Sequence, residues 1–153
     1  MKDFSADLSD YGFSTEVRVR LSETDAVGIV FFGSFASYFD VGRMDYLANL
    51  GLNKLDGAVR DLIPGAVVSQ ETHFKSPARY NDVLTIFVRI SEIGNTSYTF
   101  HFKIVNKSNR SVVANGSLAL VWMDLEHHPV RVPDKFREVV RRFEGDCLNE
   151  SES

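Results

Sequence analysis

The chain has 153 residues, 44% of them hydrophobic and 25% charged, which is the balance of one globular domain and excludes a wholly disordered chain. The formal net charge of -4 argues against a general nucleic-acid binder. A single cysteine, Cys147, excludes an internal disulfide and fits a reducing compartment. The first residues lack the apolar core of a secretory signal, and no apolar run of about eighteen residues occurs. We therefore expect a cytoplasmic protein without a membrane span.

The first predicted elements are a strand and a long helix. Apolar and polar residues alternate over 17–22, which is typical of a half-buried strand. Over Ser34–Leu50 the apolar spacing becomes helical, with Ser34 as the predicted N-cap and Gly51 as the predicted stop. Gly42 inside this helix costs about 1 kcal/mol relative to alanine, so we expect it to pack closely against a sheet. A shorter helix or turn is predicted over Asn53–Asp61.

Beyond residue 64 the sequence predicts a meander of long strands and a last helix. The strands are separated by turn-forming residues and cover Ala66–Lys75, Asp82–Ile93, Ser97–Asn106 and Ser111–Asp124. Connections this short fit only hairpins, so the sheet is antiparallel there. The last helix is predicted from Pro133 through Phe143, ending at Gly145. The whole is one α+β domain over 15–145, with flexible segments over 1–14 and 146–153.

One carboxylate, Asp25, stands between the first strand and the start of the long helix. A helix N-terminus offers free backbone N–H groups that can bind an oxyanion. A carboxylate beside them combines a nucleophile or base with an oxyanion clamp, which predicts acyl-transfer chemistry. The alternative is that Asp25 serves as a turn or capping residue.

The order of elements, the segment Thr24–Phe32 and the segment Pro77–Leu84 resemble the hotdog-fold acyl-CoA thioesterases, and within them the 4-hydroxybenzoyl-CoA thioesterase branch. The resemblance covers roughly residues 15–136, and its most specific part is Asp-x-x-Gly-Ile-Val-aromatic-aromatic at the helix start. It implies a hotdog fold, in which a curved antiparallel sheet wraps the long central helix. It also implies homodimers, often joined into homotetramers, with active sites between subunits. The implied partner is an acyl-CoA substrate, so no separate cofactor is expected.

Five residues are candidates for the site, and the resemblance assigns the roles of Asp25, Phe32 and Asp40. Asp25 matches the catalytic aspartate, which either attacks the thioester and forms a mixed anhydride or activates water as a general base. Phe32 matches the residue whose backbone N–H holds the thioester carbonyl, and the Gly33 N–H is a second candidate donor. Asp40 matches an acid that faces the substrate, although a surface pair with Arg43 is the alternative. Phe31 is a candidate wall of the acyl site.

At two places the sequence departs from the family pattern, and each departure changes which residues are expected to act. Many members carry His or Pro where this chain has Gly33, so acid–base chemistry rests more on Asp25. The basic triplet that grips coenzyme A phosphates is replaced by Gly94-Asn95-Thr96, so other cations must serve. The candidates are Arg79, Arg89, Lys103, Lys107 and Arg110.

Two alternative functions are also compatible with the sequence, and no metal site is expected. Hydrolysis of acyl-carrier-protein thioesters and non-catalytic acyl-CoA binding both remain open, because hotdog domains serve several thioester ligands. The four histidines lack the spacing of a zinc site, so no metal is predicted.

Overall fold

The computed structural model describes residues 7–53 and 65–151. Its strands and helices are β1 (Phe13–Arg18), α1 (Ser34–Asn49), β2 (Ala66–Phe74), β3 (Val83–Ile93), β4 (Ser97–Asn106), β5 (Val112–Val121), α2 (Asp134–Glu144) and β6 (Asn149–Glu150). Short 3₁₀ turns cover 8–10, 21–23 and 145–147. Most of the predicted element Asn53–Asp61 lies outside the described residues. No helix in the described part of the chain is long and apolar enough to cross a bilayer.

The strands form one six-stranded sheet in the order β1-β3-β4-β5-β2. All neighbours on this path are antiparallel, as predicted, and β6 adds a parallel pair to β3. The short connections β3–β4 and β4–β5 are hairpins, but the prediction of a hairpin between β2 and β3 is wrong, because β2 crosses over to pair with β5. The β3–β4 hairpin is closed by the hydrogen bond from Gly94 N to Ser97 O at 2.7 Å. This order leaves β2 at one edge of the sheet, next to β5.

Helix α1 packs against the sheet at two glycines. A Cβ on Gly42 would lie 3.0 Å from the Cγ2 atoms of Ile86 and Val88, so this helix residue approaches β3 closely, as predicted. A Cβ on Gly116 of β5 would overlap the ring of Phe39. The Phe39 ring stacks on Phe102 with centroids 4.5 Å apart, and both side chains are buried. The core therefore lies between α1 and one face of the sheet.

The ends of α1 differ in how well the sequence predicts them. The helix stops where Gly51 adopts φ +71°, a left-handed conformation that suits glycine, and this prediction is confirmed. At the other end Gly33 occupies the N-cap position, so the prediction of Ser34 as N-cap is wrong. The Ser34 hydroxyl donates to the Glu23 carbonyl at 3.0 Å instead of capping the helix.

The first strand lies earlier than the alternation predicts. Strand β1 ends at Arg18, and Leu21 begins a 3₁₀ turn in which it is 69% exposed. The turn forms because the Glu23 carboxylate accepts from Arg20 N at 2.8 Å, which bends the chain away from the sheet. Apolar alternation alone does not reveal this local hydrogen bond.

The C-terminal segment predicted as a flexible tail carries the short strand β6. Asn149 and Glu150 pair with Glu92 and Ile93 of β3, and the Glu150 carboxylate accepts from Arg141 Nε at 2.8 Å. Helix α2 begins after Pro133 and ends where Gly145 has φ +60°, close to the predicted bounds. The domain bounds 15–145 stay a prediction.

Candidate active site

The Asp25 loop is a tight antiparallel turn that carries the chain from the 3₁₀ turn to α1. Asp25 N donates to Ile29 O at 2.9 Å, and Gly28 N donates to Asp25 O at 3.0 Å. Gly28 has φ +89°, a conformation that side chains with a Cβ rarely adopt. The sequence therefore fixes the turn at Gly28 and places Asp25 at its base.

The Asp25 carboxylate is oriented by its own loop. Its Oδ1 atom accepts from Val27 N at 2.9 Å and from Ile29 N at 3.4 Å. Within residues 7–53 and 65–151 no group donates a hydrogen bond to Oδ2. One oxygen thus holds the side chain in place while the other is available to water or substrate.

The start of α1 offers two backbone donors. Phe31 N donates to Glu23 O at 2.9 Å, and Ser34 N donates to Phe31 O at 2.9 Å. Among the described residues, the N–H groups of Phe32 and Gly33 between them donate no hydrogen bond. They lie at the positive end of the helix dipole, where an anion or a developing oxyanion is stabilised.

Asp25 and Phe32 line the same cavity, whose volume is ≈ 490 Å³. A cavity of this size suits a small-molecule ligand. The neighbouring part of the wall is the Pro77–Ala78 segment, held to the Asp25 loop by the 2.8 Å hydrogen bond from Val30 N to Ala78 O. The lining is mostly apolar and consists of Asp25, Ile29, Val30, Phe32, Phe35, Phe74, Lys75, Ser76, Pro77 and Ala78.

Two predicted substrate residues do not line this cavity. The Phe31 ring packs against the ring of Phe32, with centroids 4.4 Å apart, and covers Gly33. The Asp40 carboxylate is 58% exposed and accepts from Arg43 Nε at 2.9 Å, which is the surface pair considered as the alternative. The structure brings Asp25 and Phe32 together but not Phe31 or Asp40, whose substrate contacts stay predictions.

Sequence reasoning missed several cavity residues on the segment after β2. Phe74, Lys75 and Ser76 line the cavity, and Phe74 contacts the buried Phe35 edge to face at 5.2 Å. Their only sequence signal is their position just before the Pro77–Ala78 segment that carries the family resemblance. The helical spacing of Phe35 indicates a core residue, and in the structure this side chain is buried and also lines the cavity.

Of the cations proposed to bind the coenzyme A phosphates, some lie near the cavity and others are engaged elsewhere. Arg79 adjoins the cavity, since it forms a bridge with Ile29, whereas Arg89 lies over the Tyr11 ring at 5.6 Å. Lys107 pairs with Glu16 at 2.8 Å. Of the cations in the described part of the chain, Lys75 alone lines the cavity.

The histidines do not gather into a metal site. Within the described ranges, no group of three His, Cys, Asp or Glu side chains could hold a metal ion. His73 lies 2.8 Å from Glu71 Oε1 on the exposed strand β2. His101 is buried in the sheet.

The fold and this site define a class of protein. A helix wrapped by an antiparallel sheet is the hotdog arrangement, and a carboxylate beside free helix N-terminal donors suits thioester chemistry. A family model described as the Thioesterase-like superfamily matches residues 19–140, and the chain therefore belongs to that superfamily. The expectations of a hotdog fold and of a thioester hydrolase are confirmed.

Curated relatives cover most of the chain. The acyl-acyl carrier protein thioesterase ATL3 of Arabidopsis thaliana is 30% identical over 128 residues, which span 84% of this chain and 67% of that protein. The acyl-CoA thioester hydrolase YbgC of Escherichia coli O157:H7 is 26% identical over 132 residues, which span 86% of this chain and 95% of YbgC.

Solved structures share the fold. A thioesterase from Thermus thermophilus, solved with coenzyme A and zinc, has a TM-score of 0.77 and 24% identity over 89% of this chain and 96% of that one. A 1,4-dihydroxy-2-naphthoyl-CoA thioesterase from Synechocystis has a TM-score of 0.73 and 19% identity over 84% of this chain and 94% of that one.

Proposed function

We propose that this protein hydrolyses acyl-CoA thioesters to a free acid and coenzyme A. The observation that carries the proposal is that Asp25 and Phe32 line one mostly apolar cavity and that, among the described residues, the Phe32 N–H donates no hydrogen bond. The name of the YbgC relative, an acyl-CoA thioester hydrolase, supports coenzyme A as the carrier. The mostly apolar lining of the cavity suits the hydrocarbon part of an acyl group.

The reaction follows from the charges at the site. The thioester carbonyl oxygen gains negative charge during attack, and the Phe32 and Gly33 N–H groups stabilise it. As a general base, Asp25 takes a proton from water while the water oxygen adds to the carbonyl carbon. The C–S bond then breaks with its electron pair on sulfur, and the leaving thiolate takes the proton back from Asp25. As a nucleophile, Asp25 itself adds to that carbon, and the C–S bond breaks to release coenzyme A as a thiolate and leave a mixed anhydride. Water then hydrolyses the anhydride to the free acid and the Asp25 carboxylate, and the proton released goes to the thiolate.

Asp25→Asn tests the role of the carboxylate. The asparagine keeps the oxygen that accepts from Val27 N and Ile29 N, so the loop stays folded while the base or nucleophile is lost. Released thiol should fall by about 100- to 10,000-fold across a panel of acyl-CoAs. Thermal denaturation should show an unchanged melting temperature for this variant and for the exposed control Asp146→Asn, which should keep full activity. Wild-type rates in Asp25→Asn would contradict the proposal.

The same assay distinguishes two alternatives, hydrolysis of acyl-carrier-protein thioesters and non-catalytic binding of acyl-CoA. The Arabidopsis relatives are named acyl-acyl carrier protein thioesterases, so one acyl group is offered on coenzyme A and on an acyl carrier protein. We expect faster thiol release from coenzyme A. Tight acyl-CoA binding without thiol release by the wild-type protein would instead identify a non-catalytic binding module.

The proposal includes a homodimer, joined further into a homotetramer, in the cytoplasm. Strand β2 forms an edge of the sheet and exposes the apolar side chains of Val67, Val68 and Phe74. An exposed apolar edge strand favours pairing with a second copy of the chain. Because Phe74 also lines the cavity, a partner at this edge would lie beside the site.

A further inference from the structure

The Glu23 side chain has four hydrogen bonds although it lies outside the cavity. Its Oε1 atom accepts from Arg20 N at 2.8 Å and from the Tyr38 hydroxyl at 3.0 Å. Its Oε2 atom accepts from Arg20 Nε at 3.0 Å and from Arg20 Nη2 at 2.9 Å. The side chain is only 11% exposed, and buried Tyr38 belongs to α1. The carboxylate thus links the 3₁₀ turn before the Asp25 loop to the helix after it.

The backbone of Glu23 makes a second link across the same loop. Its carbonyl oxygen accepts from Phe31 N at 2.9 Å and from the Ser34 hydroxyl at 3.0 Å. Phe31 and Ser34 flank the two N–H groups proposed to hold the carbonyl oxygen of the substrate. One residue therefore fixes both the entry to the Asp25 loop and the frame of the Phe32 and Gly33 donors.

The electrostatics keep this link charged. Partial burial acts to raise the pKa of Glu23, but the hydrogen bonds from Arg20 and Tyr38 outweigh it, so that the pKa lies below its ordinary value. Burial and the Glu23 carboxylate raise the pKa of Tyr38, so its hydroxyl remains protonated and donates. The hydrogen bond between α1 and the turn is thus charge-assisted at neutral pH.

We propose that Glu23 is a positioning residue that sets the distance between the Asp25 carboxylate and the Phe32 and Gly33 N–H groups. The proposal rests on the proposed thioester hydrolysis, in which these groups act on one carbonyl. Effective catalysis requires the reacting groups to keep a near-attack geometry, and a displacement of about 1 Å costs on the order of 100-fold in rate. Glu23 is absent from the cavity lining, so its loss should affect the turnover step more than substrate binding.

The test uses Glu23→Gln and Tyr38→Phe in the full chain. Glutamine replaces one acceptor oxygen by an amide that cannot accept from Arg20, and phenylalanine removes the hydroxyl that joins α1 to Glu23. We expect kcat to fall by about 10- to 100-fold in Glu23→Gln, with a smaller fall in Tyr38→Phe, while KM changes less than about two-fold. Glu138→Gln is the matched control, because Glu138 forms an exposed pair with Arg142 at 2.9 Å and should leave kcat unchanged.

A second measurement separates positioning from a general loss of stability and does not need activity. Amide hydrogen exchange in Glu23→Gln should accelerate at Phe31 and in the Asp25 loop, while the amides of β4 keep wild-type protection. Wild-type kcat in Glu23→Gln, or uniformly faster exchange including β4, would overturn the proposal. If the wild-type protein releases no thiol, the proposed function fails, and unchanged loop exchange in Glu23→Gln would still refute the positioning role on its own.

Discussion

At the scale of single residues, Glu144 is a buried carboxylate outside the site whose charged form is disfavoured by burial and favoured by hydrogen bonds. Glu144 of α2 accepts from the Tyr46 hydroxyl at 2.5 Å and from Ile90 N at 3.0 Å. Burial raises the pKa of Glu144 above its ordinary value of 4.5, although both hydrogen bonds act to lower it. The charged form therefore costs stability, while the acceptor oxygen supports two buried donors.

Substitution of Glu144 separates these two effects. Because the folded-state pKa is raised, the stabilising contribution is present below about pH 4.5 and is lost as the pH rises through the folded-state pKa. The free energy of unfolding of the wild type should therefore decline with rising pH relative to Glu144→Gln, which keeps the acceptor without the charge. Glu144→Ala should lose about 1–3 kcal/mol for each donor left unpaired. Urea denaturation between about pH 4 and pH 8 measures the free energy of unfolding of all three proteins. If this free energy depends on pH in the same way in the wild type and in Glu144→Gln, burial does not raise the pKa of Glu144.

Among the elements, α2 is attached to the sheet by the buried guanidinium of Arg137 as well as by the hydrogen bond from Ile90 N to Glu144. Arg137 is 2% exposed and donates from Nη2 to Gly94 O at 2.5 Å and to Asn95 O at 3.0 Å, while its Nε donates to Val132 O at 3.0 Å. Its Nη1 reaches Glu150 Oε1 of β6 at 3.4 Å. The β3–β4 turn, the start of α2 and β6 thus meet at one side chain.

Arg137→Met should lower the free energy of unfolding by about 3–5 kcal/mol, because it leaves buried carbonyl groups without a donor. Arg142→Met on the same helix is the control, since Arg142 is exposed and its pair with Glu138 contributes about 0–1 kcal/mol. Equilibrium urea unfolding compares the two variants with the wild type. Equal losses in both variants would show that the buried contacts of Arg137 contribute little.

The elements also show what the sequence alone can predict. The alternation in β4 gives its bounds without error, because the apolar side chains of Tyr98, Phe100, Phe102 and Ile104 are all buried. The position of Asp25 follows from its local motif. The cavity wall at Lys75 and the contact between Glu23 and Tyr38 were missed, because they join segments distant in sequence and depend on how α1 lies on the sheet. Local hydrogen bonds at Arg20 likewise override the alternation that predicts a longer first strand.

For the whole molecule, the exposed edge at β2 gives a prediction about assembly. Light scattering after size exclusion should give a dimer or tetramer mass at micromolar concentration. A lysine on an edge strand opposes pairing with another strand, so Val68→Lys should shift the protein toward monomer and reduce thiol release. Leu125→Lys, also at an exposed apolar residue, should leave the mass unchanged. A monomeric wild type at every concentration would exclude a shared site.

The contact between Phe39 and Gly116 limits how this core can evolve. A Cβ at position 116 would overlap the Phe39 ring, and it would also lie only 3.0 Å from the Glu71 carbonyl oxygen. A lineage that enlarges residue 116 must therefore first acquire a smaller residue at 39. We expect the two positions to change together among descendants of this sequence, although neither touches the carboxylate that defines the site.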